Sequence, residues 1–174
     1  MQKLKLIFPT LEMEKQALDY RQEYFDCGER EINGDGGLDR AKNYAEWIGK
    51  IKTDLTRDDG TSVPATTYFA VVGERIVGTV QVRHKLNDFL LRYGGHIGYG
   101  VRPSERRKGC ATEMLAQALE KCRELGIIKV LVTCDKDNIG SARTIIKNRG
   151  VLENMVTTED GTARQRYWID IPSK

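Results

Sequence analysis

Between His96 and Gly126 the chain passes from a strand-like run, His96-Ile97-Gly98-Tyr99-Gly100-Val101, through a basic loop, Arg106-Arg107-Lys108-Gly109-Cys110-Ala111, into an amphipathic helix. Beyond the loop, Ala111, Met114, Leu115, Ala118, Leu119, Cys122 and Leu125 recur at helical spacing, and Gly126 stands where a helix stops. The loop therefore leads into a helix N-terminus, where unpaired N–H groups and the positive end of the helix dipole favour an anion. Gly109 lets the backbone approach a ligand closely. Arg106, Arg107 and Lys108 add charge beside the amides of Gly109, Cys110, Ala111 and Thr112. A diphosphate suits such a cradle.

Two common phosphate loops are excluded. A Walker loop needs a glycine five residues ahead of its Gly-Lys and a hydroxyl directly after, whereas here Gly109 follows Lys108. The dinucleotide GxGxxG pattern is also absent from this loop. A length of 174 residues fits one domain, residues 1–174, and 40% hydrophobic with 30% charged residues is an ordinary globular composition. The first residues, Met1-Gln2-Lys3-Leu4-Lys5-Leu6, lack the apolar run of a signal peptide, and no stretch reaches the roughly 20 apolar residues of a membrane span. A cytoplasmic protein with no membrane partner is expected. Cys27, Cys110, Cys122 and Cys134 show no Cys-x-x-Cys spacing, so reduced thiols are expected, with no metal site. A net charge of +3 is too small to argue for nucleic acid.

Periodicity and turn signals predict the remaining elements. Lys3 to Phe8 alternates as a strand, Pro9-Thr10 breaks it, and Leu11 to Phe25 reads as a helix with Leu11, Ala17, Leu18, Arg21 and Phe25 on neighbouring turns. Cys27 to Leu38 holds too much glycine for regular structure, and Asp39 is placed to cap a second helix with Ala41, Tyr44, Ala45, Ile48, Ile51 and Leu55 on its apolar face. Tyr68–Val72 and Ile76–Arg83 form a hairpin around Gly73-Glu74-Arg75, and the Ile97 strand follows a polar stretch. Lys129–Asp135 is a strand, Asn138 starts a helix, and Val151–Val156 pairs with Gln165–Ile171 through Asp160-Gly161. The glycines at 94, 95, 98 and 100 are costly in a strand and imply a bulge or a close backbone approach.

The spacing Arg106-x-x-Gly109-x-Ala111 resembles the pyrophosphate loop of the GCN5-related N-acetyltransferases (GNAT), and Asn138-x-x-Ser141 after the Lys129–Asp135 strand is similar to that family's helix start. The element order β-α-α-β-β-β-α-β-α-β-β is also that of the family. The resemblance implies an α+β fold of the GNAT type: a central, mostly antiparallel twisted sheet with one splayed strand, flanked by helices. It implies acetyl-CoA as co-substrate, held by Tyr99 and Val101 through their backbones, by the loop from Arg106 to Thr112, and by Asn138 and Ser141. An amine would attack the acyl carbon, and a strand N–H would stabilise the charge on its carbonyl oxygen.

In many members of the family a tyrosine seven residues after the helix-starting asparagine donates a proton to the departing thiolate. Here that position is Ile145. Tyr99 and Tyr167 are candidate substitutes, with solvent as the alternative, and His96 has the intrinsic pKa of a base although strand alternation sets it opposite Ile97, Tyr99 and Val101. The resemblance points to Cys27–Arg40 and Asn154–Arg166 for the acceptor, where Asp26, Glu29, Glu31 and Asp35 can either attract a cationic amine or form a solvated loop face. A small-molecule or peptide amine and a homodimer are expected partners. A non-catalytic acyl-CoA-binding module and an RNA-binding module are the competing readings.

Overall fold

The computed structural model describes residues 2–172. Its elements run β1 (Lys5–Ile7), α1 (Glu14–Asp26), α2 (Tyr44–Asp54), β2 (Ala65–Val72), β3 (Arg75–Arg83), β4 (Ile97–Val101), α3 (Cys110–Glu124), β5 (Lys129–Asp135), α4 (Ile139–Lys147), β6 (Val151–Thr157) and β7 (Ala163–Asp170). This is the order expected from the sequence. The strands form two antiparallel sheets, β1-β2-β3-β4 and β5-β7-β6. The order within the second sheet puts the last strand between its neighbours, which no sequence pattern predicts.

Apolar periodicity becomes packing on both faces. On one face α3 lays Met114, Leu115, Ala118 and Cys122 against Val80, Val82 and Ile97 of the first sheet and Val130, Val132 and Ile169 of the second. One helix thus bridges both sheets. On the other face α1 and α2 cover β2 and β3, with the Trp47 ring stacked on Phe69 at 5.3 Å. Removing one of these buried large side chains would cost about 2–5 kcal/mol. Among the described residues no helix is long and apolar enough to cross a membrane.

β4 and β5 meet only at one end. There the His96 N–H donates to Leu131 O at 2.7 Å and the Leu131 N–H donates to His96 Nδ1 at 2.9 Å. Gly95 sits at the joint with φ 69°, and a Cβ on it would lie 2.6 Å from Leu131 O, so both conformation and space require glycine. Beyond the joint no ladder links the two strands among the described residues, and they splay apart.

Several expectations need correction. The buried stripe of α1 is Ala17, Tyr20 and Tyr24, one step round from the predicted face, and Leu11 is exposed in a short 3-10 turn. Burial of the tyrosines is favoured by partners on the sheet: Tyr20 Oη lies 3.1 Å from Thr79 Oγ1, and Tyr24 donates to Val101 O at 2.7 Å. Asp39 does not cap α2. Asn43 does, accepting from Glu46 N at 2.9 Å, while Asp39 accepts from Ile32 N. The polar stretch before β4 contains a π-helical turn, Leu90–Gly94. Cys122 and Cys134 are buried, Cys110 is half-buried and Cys27 is exposed, all free thiols.

Two buried groups near the joint and the loop titrate in opposite senses. Burial, aided by Arg83, holds the His96 pKa down to about 4 from 6.5, so the neutral ring stabilises the fold above pH 6.5 and that stability is lost as pH falls toward 4. Burial lifts Asp35 to about 6 from 3.8, against the Gly37 N–H and with Asp39 adding to the rise. Its destabilising charge is therefore absent near pH 4 and develops as pH rises through 6. In urea unfolding between pH 4.5 and 6.5, the stability lost in His96→Asn relative to the parent should grow with pH. The difference between parent and Asp35→Asn should move the opposite way. A pH-independent difference in either variant would exclude the titration assigned to it.

Candidate active site

The backbone bonds that end the β3–β4 ladder set which groups of β4 face the splay. Arg83 N–H donates to His96 O and Arg102 N–H to Val77 O, with Val82 opposite Ile97 and Gly78 opposite Val101. Hydrogen-bonded pairs alternate along an antiparallel ladder. Gly98 and Gly100 therefore turn their N–H and C=O groups toward β3, and Tyr99 and Val101 turn theirs toward the gap. The Val101 carbonyl is already taken there by Tyr24 Oη at 2.7 Å and Arg106 Nε at 3.2 Å. The Tyr99 and Val101 backbone thus lines the gap as expected, with one carbonyl withdrawn by side chains the sequence did not connect to it.

Across the gap stands the start of α4. Asn138 caps it, its Oδ1 accepting from Ser141 N at 3.0 Å, and Ser141 Oγ lies 2.7 Å from Tyr99 Oη. Tyr99 thus spans from β4 to α4. Burial, opposed by Ser141, pushes its pKa up to about 12, so the hydroxyl keeps its proton at neutral pH. Tyr167 instead donates to Gln165 on its own strand at 3.0 Å. Ile145 is fully buried in the core against Gly150 and offers no donor. His96 is committed to the strand joint, and its lowered pKa makes it a poor base at neutral pH.

The basic loop folds as a concave turn. Arg107 has φ 62°, Gly109 has φ 85°, and α3 starts at Cys110 with no side chain capping its first turn. A Cβ on Gly109 would meet nothing within 4 Å, so the approach to the amides is open. The three cations are not equivalent, however. Arg106 is held in a two-pronged pair with Glu29 at 2.7 and 2.8 Å, and Lys108 pairs with Glu105 at 3.1 Å. Arg107 has no acidic partner within 4 Å among the described residues. The charge expected of Arg106 and Lys108 is thus largely compensated within the protein.

The loop from Cys27 to Arg40 lies on β4. A Cβ on Gly34 would sit 2.3 Å from Gly98 O, and one on Gly100 would sit 2.8 Å from Asn33 O. This contact therefore requires glycine at 34 and at 100, whereas a Cβ on Gly98 would meet the loop backbone only at 3.5 Å. Two of the acidic residues that were candidates to attract a cationic amine are otherwise engaged: Glu29 pairs with Arg106, and buried Asp35 accepts from Gly37 N and Asp39 N. On the far side, Arg164 and Arg166 donate to the π-turn carbonyls of Tyr93 and Leu91.

A splayed strand pair beside an uncapped helix N-terminus defines an acyltransferase-type cleft, and comparison with known proteins agrees. The sequence profile described as "Acetyltransferase (GNAT) family" matches residues 18–150. The chain belongs to the GNAT acetyltransferase family. Among solved structures, Mycobacterium smegmatis RimJ in complex with CoA-disulfide is 16% identical, with a TM-score of 0.73 over 96% of this chain and 81% of that one. A Salmonella typhimurium acetyltransferase that modifies the N-terminal serine of a 50S ribosomal subunit protein is 16% identical, with a TM-score of 0.67 over 99% and 97%. The microcin C7 self-immunity acetyltransferase MccE, in complex with acetyl-CoA and AMP, is 17% identical, with a TM-score of 0.67 over 97% and 93%. No curated protein matches by sequence.

The contact between the loop and β4 is testable by urea unfolding. Gly28→Ala, at φ 81° in open space, should cost only the left-handed strain of about 1–2 kcal/mol. Gly34→Ala adds a backbone clash to that strain and should cost about 2–5 kcal/mol. Equal losses would mean that the loop does not press on the strand.

Proposed function

We propose that this chain is a cytoplasmic, single-domain N-acetyltransferase that moves the acetyl group of acetyl-CoA to a primary amine by direct attack. The observation that carries the reading is the gap between β4 and β5, where the Tyr99 and Val101 backbone faces a cleft that ends at the uncapped start of α3. The acetyl-CoA and CoA complexes of the structural relatives support the donor. The four free thiols fit a reducing compartment.

Arg107 and the first-turn amides from Gly109 to Thr112 would hold the diphosphate, with Arg106 and Lys108 shaping the turn through their ion pairs. Asn138 and Ser141 flank the pantetheine arm from α4. When bound, acetyl-CoA supplies an activated carbonyl and a thiolate leaving group. A β4 N–H aimed at the gap stabilises charge on that carbonyl oxygen, an effect of about 2.7–4 kcal/mol in comparable sites. The rest is positioning of the amine. Tyr99 Oη holds a proton at neutral pH inside the cleft and is the group we assign to protonate the leaving sulfur, in place of the tyrosine that Ile145 replaces.

Acetyl-CoA at a hundredfold excess over its Kd should stabilise the fold by about 2.7 kcal/mol. Gly109→Glu, which places bulk and negative charge at the diphosphate seat, should abolish that thermal shift while the unliganded protein still folds. An unchanged shift would end the donor assignment.

Tyr99→Phe should lower kcat by about 10²–10⁴ with little change in the acetyl-CoA thermal shift. Tyr167→Phe should change kcat by no more than its packing explains. If both variants turn over like the parent, the proton comes from solvent. Thioester consumption with a broad amine panel separates an enzyme from a binding module, which would consume none.

A further inference from the structure

Among the described residues Arg83 is a cation with no counter-charge and an incomplete set of partners. Arg83 ends β3 and turns its guanidinium onto the face of β4 that the Asn33-Gly34 backbone also covers. A Cβ built on Gly98 would lie 3.3 Å from Arg83 Nη2 and 3.5 Å from Gly34 Cα. Nη1 donates to Gly94 O at 3.0 Å and Gly95 O at 3.1 Å, while Nη2 and Nε have no protein acceptor among the described residues. No carboxylate lies within 4 Å of it there. Arg164, tied to Asp135 at 3.0 Å, is a second cation close enough to add to burial in pulling the Arg83 pKa down to about 10.

Holding an enclosed guanidinium next to another cation is unfavourable unless something compensates it. Capping the π-turn carbonyls explains Nη1 alone. The open edge is the Nε–Nη2 side, two parallel N–H donors of the kind that take a carboxylate in a two-pronged pair. Among the described residues no fully buried side-chain nitrogen or oxygen lacks a partner, so these unpartnered donors reach an opening. That opening lies one residue from Tyr99, on the strand face away from α3. Glu29 and Asp35 on the covering loop are already engaged and no carboxylate lies within 4 Å of Arg83 among the described residues, so the charge offered at this point is positive.

Resting on the donor reading above, we propose that Arg83 is the acceptor-specificity residue, binding a carboxylate carried by the amine that is acetylated. The acceptor class is then an amino acid or a peptide whose carboxylate lies close to its amine. Arg164 strengthens the field at that point without contacting the acceptor.

The test measures CoA thiol release under saturating acetyl-CoA, with amino acids paired against their amides and with phosphoethanolamine and spermidine alongside. The carboxylated member of a pair should exceed its amide in kcat/KM by roughly 10–100-fold. In Arg83→Gln that ratio should fall to near one, mainly through KM, while the acetyl-CoA thermal shift stays. Arg83→Lys, which keeps the charge but loses the fork, should fall between them and serves if the glutamine variant does not fold. Amides or spermidine used as well as carboxylated amines, preference for phosphoethanolamine, no release with any carboxylated amine, or a ratio preserved in both variants would each overturn the proposal. A parent that shows no acetyl-CoA shift would fail the donor reading instead.

Discussion

Two hydrogen bonds between His96 and Leu131 hold β4 to β5 at one end and leave the rest of both strands unpaired. A sheet interior normally satisfies every N–H and C=O in its ladder, because an unpaired buried group costs about as much as the bond it lacks. Here the Val101 carbonyl accepts from Tyr24 and Arg106, and the remaining Tyr99 and Val101 groups escape that cost by facing the gap between the strands. The joint holds because the neutral imidazole accepts where a strand carbonyl would, and because Gly95 lets the chain entering β4 lie close against the Leu131 carbonyl of β5. α3, packed under both sheets, keeps the angle of the splay.

Charge in the basic loop from Arg106 to Ala111 is arranged differently from its composition. Arg106 and Lys108 lie in exposed ion pairs, each of which stabilises by about 1 kcal/mol or less. Their partners fix side-chain direction. Arg106 reaches from Glu29 to the Val101 carbonyl, and so ties the Cys27–Arg40 loop to the end of β4. Arg107 and the first-turn amides are left without such partners. These are geometric features of a left-handed turn, and they work without a counter-ion in the protein.

The face of β4 under the Cys27–Arg40 loop shows the same economy of contacts. Tyr20, Thr79 and Asn33 share one hydrogen-bonded cluster over Gly100, and Tyr24 reaches the end of the same strand. Gly100 is glycine because the Asn33 carbonyl presses on it, and Gly34 is glycine because it lies against the Gly98 carbonyl. The loop is thereby held rigid against β4. The exposed π-turn residues Phe89 and Leu91 lie on the opposite margin, next to the arginines that bind its carbonyls.

The periodicity of α3, the glycine stop at Gly126, the hairpin turn at Gly73 and the basic loop before Cys110 are local signals, so the sequence alone determined the element order and the position of the basic turn. Glycines at 98 and 100 also marked an unusual strand, which the structure places under the Asn33-Gly34 backbone. Other features arise only when distant segments meet. The buried face of α1 depended on Thr79 and Val101 accepting or sharing tyrosine hydroxyls, and the cap of α2 depended on how the preceding loop entered. The pairing of Arg106 with Glu29, the strand-joint role of His96 and the open edge of Arg83 join residues 77, 35 and 11 positions apart. Periodicity reads one element at a time, and hydrogen bonds between elements are set by their packing, which only the tertiary structure decides.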